Sequence, residues 1–141
     1  MRARERMPRL AALAVAALAL GALPGCLASG PPASVCVPEL TVTPDDPKPG
    51  RIVTVATTHA CPVPDGTEWV VRIQPAGKPI PLAEAKVKPD GDGSFEVSIT
   101  VPPTIGPGSA IAWIANYWDT AQCPSGASCA SAEVTFTVAE P

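Results

Sequence analysis

Proline narrows what this chain can become more than any other feature. Nineteen prolines and eleven glycines lie among 141 residues. Beyond the N-terminal segment the breaks return at roughly the 8–15-residue interval of short strands and turns. A proline has no amide to give a helix, and its ring collides with the preceding turn, so an ordinary helix has little room. Between the breaks apolar residues alternate with polar ones, the period of a half-buried strand. Seven such runs are predicted. They are 39–43 with Leu40 and Val42 inward, 51–58 with Val53 and Val55, and 68–74 with Trp69, Val71 and Ile73. Then come 82–88 with Ala83, Ala85 and Val87, 95–101 with Phe95, Val97, Ile99 and Val101, 110–118, and 132–140 with Val134, Phe136 and Val138. No helix-period segment is expected after residue 26. The expectation is an all-β fold, an antiparallel β-sandwich of about seven strands in one domain.

The first 25 residues are of a different kind. Arg2, Arg4, Arg6 and Arg9 precede the apolar run Leu10–Leu23, which leads into Pro24-Gly25-Cys26. A basic start followed by an apolar run of about 7–15 residues is the pattern of a secretory signal peptide. A spanning helix needs roughly 20 apolar residues, and this run is shorter. Leu23-Pro24-Gly25-Cys26 resembles the lipobox of bacterial lipoproteins, with Pro24 standing where the family carries a small Ala or Ser. The resemblance implies that Cys26 becomes the first residue, diacylated on sulfur and often acylated on nitrogen, for example with palmitate. Two or three chains at ~0.8 kcal/mol per buried methylene anchor firmly where one is marginal. The alternative is a soluble secreted protein cut by the ordinary signal peptidase. The organisation expected is a signal peptide at 1–25, a lipidated cysteine and Pro/Gly/Ser linker at 26–37, and a sandwich domain at 38–141.

Charge and cysteine usage bound the partners. Residues 1–25 balance at +3 against −3 for the whole chain, so residues 26–141 carry −6. An acidic product argues against nucleic acid and against electrostatic adhesion to anionic lipid. Outside the cytoplasm cysteines tend to pair. With Cys26 set aside, Cys36, Cys61, Cys123 and Cys129 remain, an even set that permits three connectivities.

Three segments carry a further likeness: Lys48-Pro49-Gly50-Arg51-Ile52-Val53-Thr54-Val55, Asp90-Gly91-Asp92-Gly93-Ser94-Phe95-Glu96-Val97, and Val101-Pro102-Pro103 through Pro107-Gly108-Ser109. Together they resemble the bacterial Ig-like domains of actinobacterial secreted proteins and surface lipoproteins, over residues 38–139. The resemblance implies a fold and no particular function, because such sandwiches host many roles. In a fold of this kind all four remaining cysteines fall at one end. The pairing this favours is Cys36–Cys61, between adjacent strands, with Cys123–Cys129 closing a short loop. Loop entropy gives the two about 3.5 and 2.4 kcal/mol. Cys36–Cys129 with Cys61–Cys123 stays open. A tether of roughly ten residues from Cys26, at most about 35 Å long, would enter at this same end. The turns 44–50 and 102–109 would then point away from the membrane.

Binding is sought first in the 116–129 loop, with Tyr117, Trp118, Asp119 and the Cys123–Cys129 closure, since recognition usually lives on sandwich-end loops. The plainer reading is a bridge that only stabilises a long loop. The sixth run is apolar on both faces, Ile111, Trp113, Ala115 and Tyr117 on one, Ala110, Ala112, Ile114 and Trp118 on the other. One aromatic set, Trp113 included, is therefore a candidate exposed patch, against a strand covered by a loop or carrying a bulge. Asp90-Gly91-Asp92-Gly93 lacks the third acid and distal Glu of a calcium loop and reads as a turn. His59 lies two residues before Cys61, but a Cys–His nucleophile needs a free thiolate. One histidine with oxidised cysteines is too few ligands for zinc. Gly-x-Ser-x-Gly, His-Glu-x-x-His and phosphate-cradling glycine motifs do not occur. No catalytic residue, metal or cofactor is assigned. The function expected is a non-enzymatic module, lipid-anchored on the extracytoplasmic face of the cell membrane, that binds an envelope protein or glycan or serves structurally. The alternative is an inhibitor presenting the closed 123–129 loop to a secreted protease. A small hydrolase would have only His59 and Asp119 to work with.

Overall fold

Alternation along the strands is what builds the architecture. A computed structural model describes residues 35–141 apart from Gly126. The expected signal peptide, Cys26 and the linker up to residue 34 lie outside the described residues. The strands are β1 (Glu39–Thr43), β2 (Ile52–His59), β3 (Trp69–Pro75), β4 (Ala83–Val87), β5 (Glu96–Thr100), β6 (Gly108–Ile114) and β7 (Glu133–Val138), with one helical turn, α1 (Tyr117–Thr120), before β7. They form a β-sandwich of two antiparallel sheets, one ordered β1-β2-β5 and the other β4-β3-β6-β7. Every second residue points between the sheets. Leu40, Val42, Val53, Val55, Ile99 and Val101 meet Trp69, Val71, Ile73, Ala110, Ala112, Ile114, Phe136 and Val138 in one buried cluster. Trp69 is wholly buried and stands edge-on to Phe95, ring centroids 5.4 Å apart. Each such side chain contributes about 1.5–3 kcal/mol of apolar burial. Ala83, Ala85 and Val87 are half-buried, as an edge strand leaves them.

The sixth strand is shorter than its alternation predicts. It ends at Ile114, and the last rung to β3 runs from the Ala115 amide to the Val70 carbonyl. Asn116 then continues the pairing with its side chain: Oδ1 accepts from the Val70 amide and Nδ2 donates to the Glu68 carbonyl, both at 2.9 Å. The backbone, released from the ladder, turns into α1. Both the expected strand to Trp118 and the expected absence of helix are corrected by this one side chain.

At the opposite end of the sheets the chain leaves β1 through a cis Thr43–Pro44 peptide and crosses to the other sheet. The Thr137 amide donates to the Asp45 carbonyl and the Ala139 amide to the Pro47 carbonyl, so residues 45–47 run alongside β7 in the same direction. This covers an edge that would otherwise present unpaired backbone. The strand registers collect 35–39, 59–69, 87–96 and 114–133 at one end of the sandwich, and 43–52, 75–83 and 100–108 at the other.

Candidate functional site

The first end is the one that holds the cysteines. Glu39 pairs with His59 where β1 meets β2, which brings Cys36, just before β1, beside Cys61, just after β2. The two form a disulfide with Cα atoms 5.8 Å apart, and Cys123 and Cys129 form the second, 6.0 Å apart. Cys61 is therefore no thiol, and exposed His59 has no sulfur nucleophile beside it.

The 90–94 turn packs directly against this cystine. Gly93 is buried with φ +85°, and a Cβ there would lie 1.9 Å from the Cys61 carbonyl oxygen. The Asp90 carbonyl accepts from the Gly93 amide, and the Asp92 carboxylate accepts from the Ser94 amide at 2.9 Å and from the Ser94 hydroxyl. The Ser94 hydroxyl, with its amide second, holds the Asp92 carboxyl below its ordinary value. Asp92 is thus engaged in its own turn. Among the described residues no three of His, Cys, Asp and Glu gather as a metal-binding group.

The aromatic candidates separate. Tyr117 is buried; its hydroxyl donates to the Cys36 carbonyl at 2.6 Å, and its ring lies 5.9 Å from Trp69 and 4.9 Å from Trp118. Burial pushes the phenol above its ordinary pKa. Trp118 is half-buried against the core. Trp113 lies on the outer face of the four-stranded sheet, across from Arg72 and Glu133, half-buried and with an indole N–H that has no partner among the described residues. Asp119 is exposed. The candidates of the 116–129 loop and of the sixth strand thus lie apart: Tyr117 and Trp118 ride on α1 and pack inward, because the strand ended before them, while Trp113 stays on the sheet's outer face. Accessible at this end are Asp119 and the loop tip, where Pro124, Ser125, Ala127 and Ser128 are exposed and the Ala127 amide donates to the Pro124 carbonyl.

The other end carries a feature the sequence reading passed over. A groove of about 480 Å³ opens between the β3–β4 turn and the β5–β6 loop, lined by Pro75, Lys78, Ile80, Leu82, Thr104 and Pro107 among others. Ile80 is 67% exposed and Leu82 40%. The signal was present: Ile80 lies between Pro79 and Pro81, and Leu82 follows directly, so two aliphatics sit where prolines keep the chain out of a sheet ladder. The chain matches no protein-family profile, no curated protein and no solved structure.

Proposed function

We propose that the chain is a lipid-anchored, non-enzymatic binding or structural module on the extracytoplasmic face of the cell membrane. One observation carries most of the weight: the two disulfides take up all four cysteines that follow Cys26. Paired cysteines fit an exported protein, and they leave Cys26, at the lipobox-like Leu23-Pro24-Gly25-Cys26, outside the pairing arithmetic. The domain's first described residue, Val35, adjoins Cys36 at the cystine end. On this reading that end faces the membrane. The groove beside Ile80 and Leu82 then faces outward, toward an envelope protein or glycan.

Intact mass of the membrane-extracted protein, before and after reduction and alkylation, tests it. The expected species begins at Cys26, carries acyl mass, and takes four alkyl groups only after reduction. An unlipidated mass makes the protein a diffusible secreted one, and alkylation before reduction removes the oxidised framework. A second reading, inhibition of a secreted protease, is favoured by the exposed, disulfide-closed 123–129 segment. Potent inhibition that is lost on replacing Ser125 or Ala127 would shift the assignment to it.

A further inference from the structure

The two outer edges of the four-stranded sheet are finished differently. Residues 45–47 cover β7, whereas among the described residues no strand pairs with the far side of β4. The direction of each backbone group on β4 follows from its neighbours. On β3 the Val70 carbonyl accepts from Ala115, and beyond the strand's end the Ala76 amide donates to Ser109, so the even-numbered residues turn toward β6. Trp69, Val71 and Ile73 therefore turn toward β4, and engage Val87, Ala85 and Ala83. That leaves the amides and carbonyls of Glu84 and Lys86 directed outward from the open edge.

The side chains on this edge have a particular symmetry. Glu84 and Lys86 are both exposed on the outer face, one residue either side of Ala85. A second copy laid antiparallel along the edge, with the two-fold axis at Ala85, would set Glu84 of each copy opposite Lys86 of the other. Both of those pairs fall at positions where two residues exchange two backbone hydrogen bonds. The two Ala85 residues would meet at the closely spaced position between them, where only a methyl group has to fit. Opposite charges directly across a ladder are favourable and like charges are not. Moving the axis to Lys86 or to Glu84 sets that residue against its own charge in the second copy, and moving it to Val87 sets Lys86 against Lys88. A register slip of one residue, with the axis midway between two residues, sets inner side chains against outer ones. The charges thus favour the Ala85 register. The in-chain ion pairs extend the pattern: Arg72 lies 3.2 Å from Glu84 and Lys86 3.1 Å from Glu68. Across the joint the row would read Arg72, Glu84, then Lys86 and Glu68 of the second copy, alternating in sign throughout.

We propose that two copies of this chain join edge to edge through β4, with Ala85 on the two-fold axis, so that their four-stranded sheets run on as one. The pairing is antiparallel and sets the two cystine ends at opposite ends of the pair. Only one copy of such a pair can turn its cystine end to a given membrane, so the pairing is tested on its own and does not rest on the anchoring reading. Charged edges commonly ward off other strands; this one wards off most registers and accepts its own copy.

Cross-linking of the full-length chain tests the register. Ala85→Cys would bring two sulfurs together at a strand spacing of about 4.5 Å between Cα atoms, within the roughly 4.4–6.8 Å that a disulfide spans. Mild oxidation is expected to give a reducible dimer with Ala85→Cys and none above background with Thr135→Cys on β7 or with the unsubstituted chain. Sedimentation of charge variants tests the pairing without any added cysteine. Glu84→Lys and Lys86→Glu alone are each expected to weaken dimerisation on the order of tenfold, since each sets two like-charge pairs across the joint. The double exchange Glu84→Lys/Lys86→Glu is expected to restore it. Both in-chain ion pairs are lost in the double exchange, so recovery could come only from the contact between copies. Failure of Ala85→Cys to exceed Thr135→Cys, or a double exchange no better than the single ones, overturns the proposal.

Discussion

Gly93→Ala is the substitution for which the structure makes the sharpest demand. Two separate costs meet at this residue. Its φ of +85° lies in the left-handed region, where a Cβ costs about 1–2 kcal/mol. The added carbon would also sit 1.9 Å from the Cys61 carbonyl oxygen and 2.8 Å from its carbon. Both are backbone atoms, and Cys61 is buried and tied to Cys36, so neither side yields easily. Overpacking of this kind costs about 1–3 kcal/mol, for a total of about 2–5 kcal/mol. At about 4–8 °C per kcal/mol for a domain of this size, the melting temperature should fall by about 10–40 °C. Gly66→Ala supplies the control. It has the same left-handed backbone, φ +80°, but nothing within 4 Å of the added carbon, so only the first cost applies. Urea denaturation with the disulfides intact would measure both variants. The expected gap between them is about 1–3 kcal/mol, the contact with Cys61 alone. If the two lose stability equally, to within about 0.5 kcal/mol, the packing of the 90–94 turn on the cystine is not what holds this end together.

Three further outcomes follow from the same end of the molecule. Tyr117→Phe leaves the Cys36 carbonyl without its donor and should cost about 1–3 kcal/mol. Tyr117 is the single tyrosine in the chain and burial raises its pKa, so its contribution is full below the ordinary phenol value of about 10 and is lost as pH rises from there through the folded value. Tyrosinate absorbance should report a late ionisation, and Tyr117→Phe should remove this component of the alkaline fall in stability. Asn116→Ala breaks the bonds to Val70 and Glu68 together, for about 1–3 kcal/mol in the same urea assay, and Asn116→Asp, which keeps the acceptor for Val70 but turns a carboxylate oxygen on the Glu68 carbonyl, should not restore the loss. Replacing Cys36 and Cys61 by serine should cost about 3.5 kcal/mol and replacing Cys123 and Cys129 about 2.4 kcal/mol from loop entropy; equal losses would contradict the difference in loop length.

The sandwich was legible because its strands each have one wet side. Val53 and Val55, or Trp69, Val71 and Ile73, are buried at every second position with polar or half-exposed residues between them, and a period of two is readable without neighbours. The end of the sixth strand was not legible, because apolar residues continue in alternation past Ile114 while the deciding event is a side chain of Asn116 bonding to residues 46 and 48 positions away. The same distance problem hid Tyr117, whose partner Cys36 lies 81 residues off. Cysteine count alone left more than one connectivity open; the register of Glu39 with His59 decides between them. The groove escaped because Ile80 belongs to no periodic segment and Leu82 only opens the 82–88 run, on the face opposite its inward Ala83, Ala85 and Val87.

The fate of the aromatic residues bears on where this domain can bind anything. Recognition surfaces draw heavily on aromatic side chains, which bring large rigid area at small entropic cost. This chain has six of them: three Trp, two Phe and one Tyr. Trp69, Phe95, Phe136 and Tyr117 are buried, and Trp118 packs against the same cluster. A core that otherwise depends on Val, Ile and Ala needs those rings, because valine and alanine alone leave the space between sheets roughly 10 Å apart poorly filled. Only Trp113 lies outside the cluster, and it is half-covered on a sheet face between Arg72 and Glu133. The domain has therefore spent its aromatics on folding. What it offers a partner at the groove with Ile80, Leu82 and Lys78, at the open edge of β4 with Glu84 and Lys86 and at the exposed tip of the 123–129 loop is aliphatic, charged, polar or backbone in character. Neither the groove nor that edge carries an aromatic ring, so aromatic residues in the sequence do not point to them.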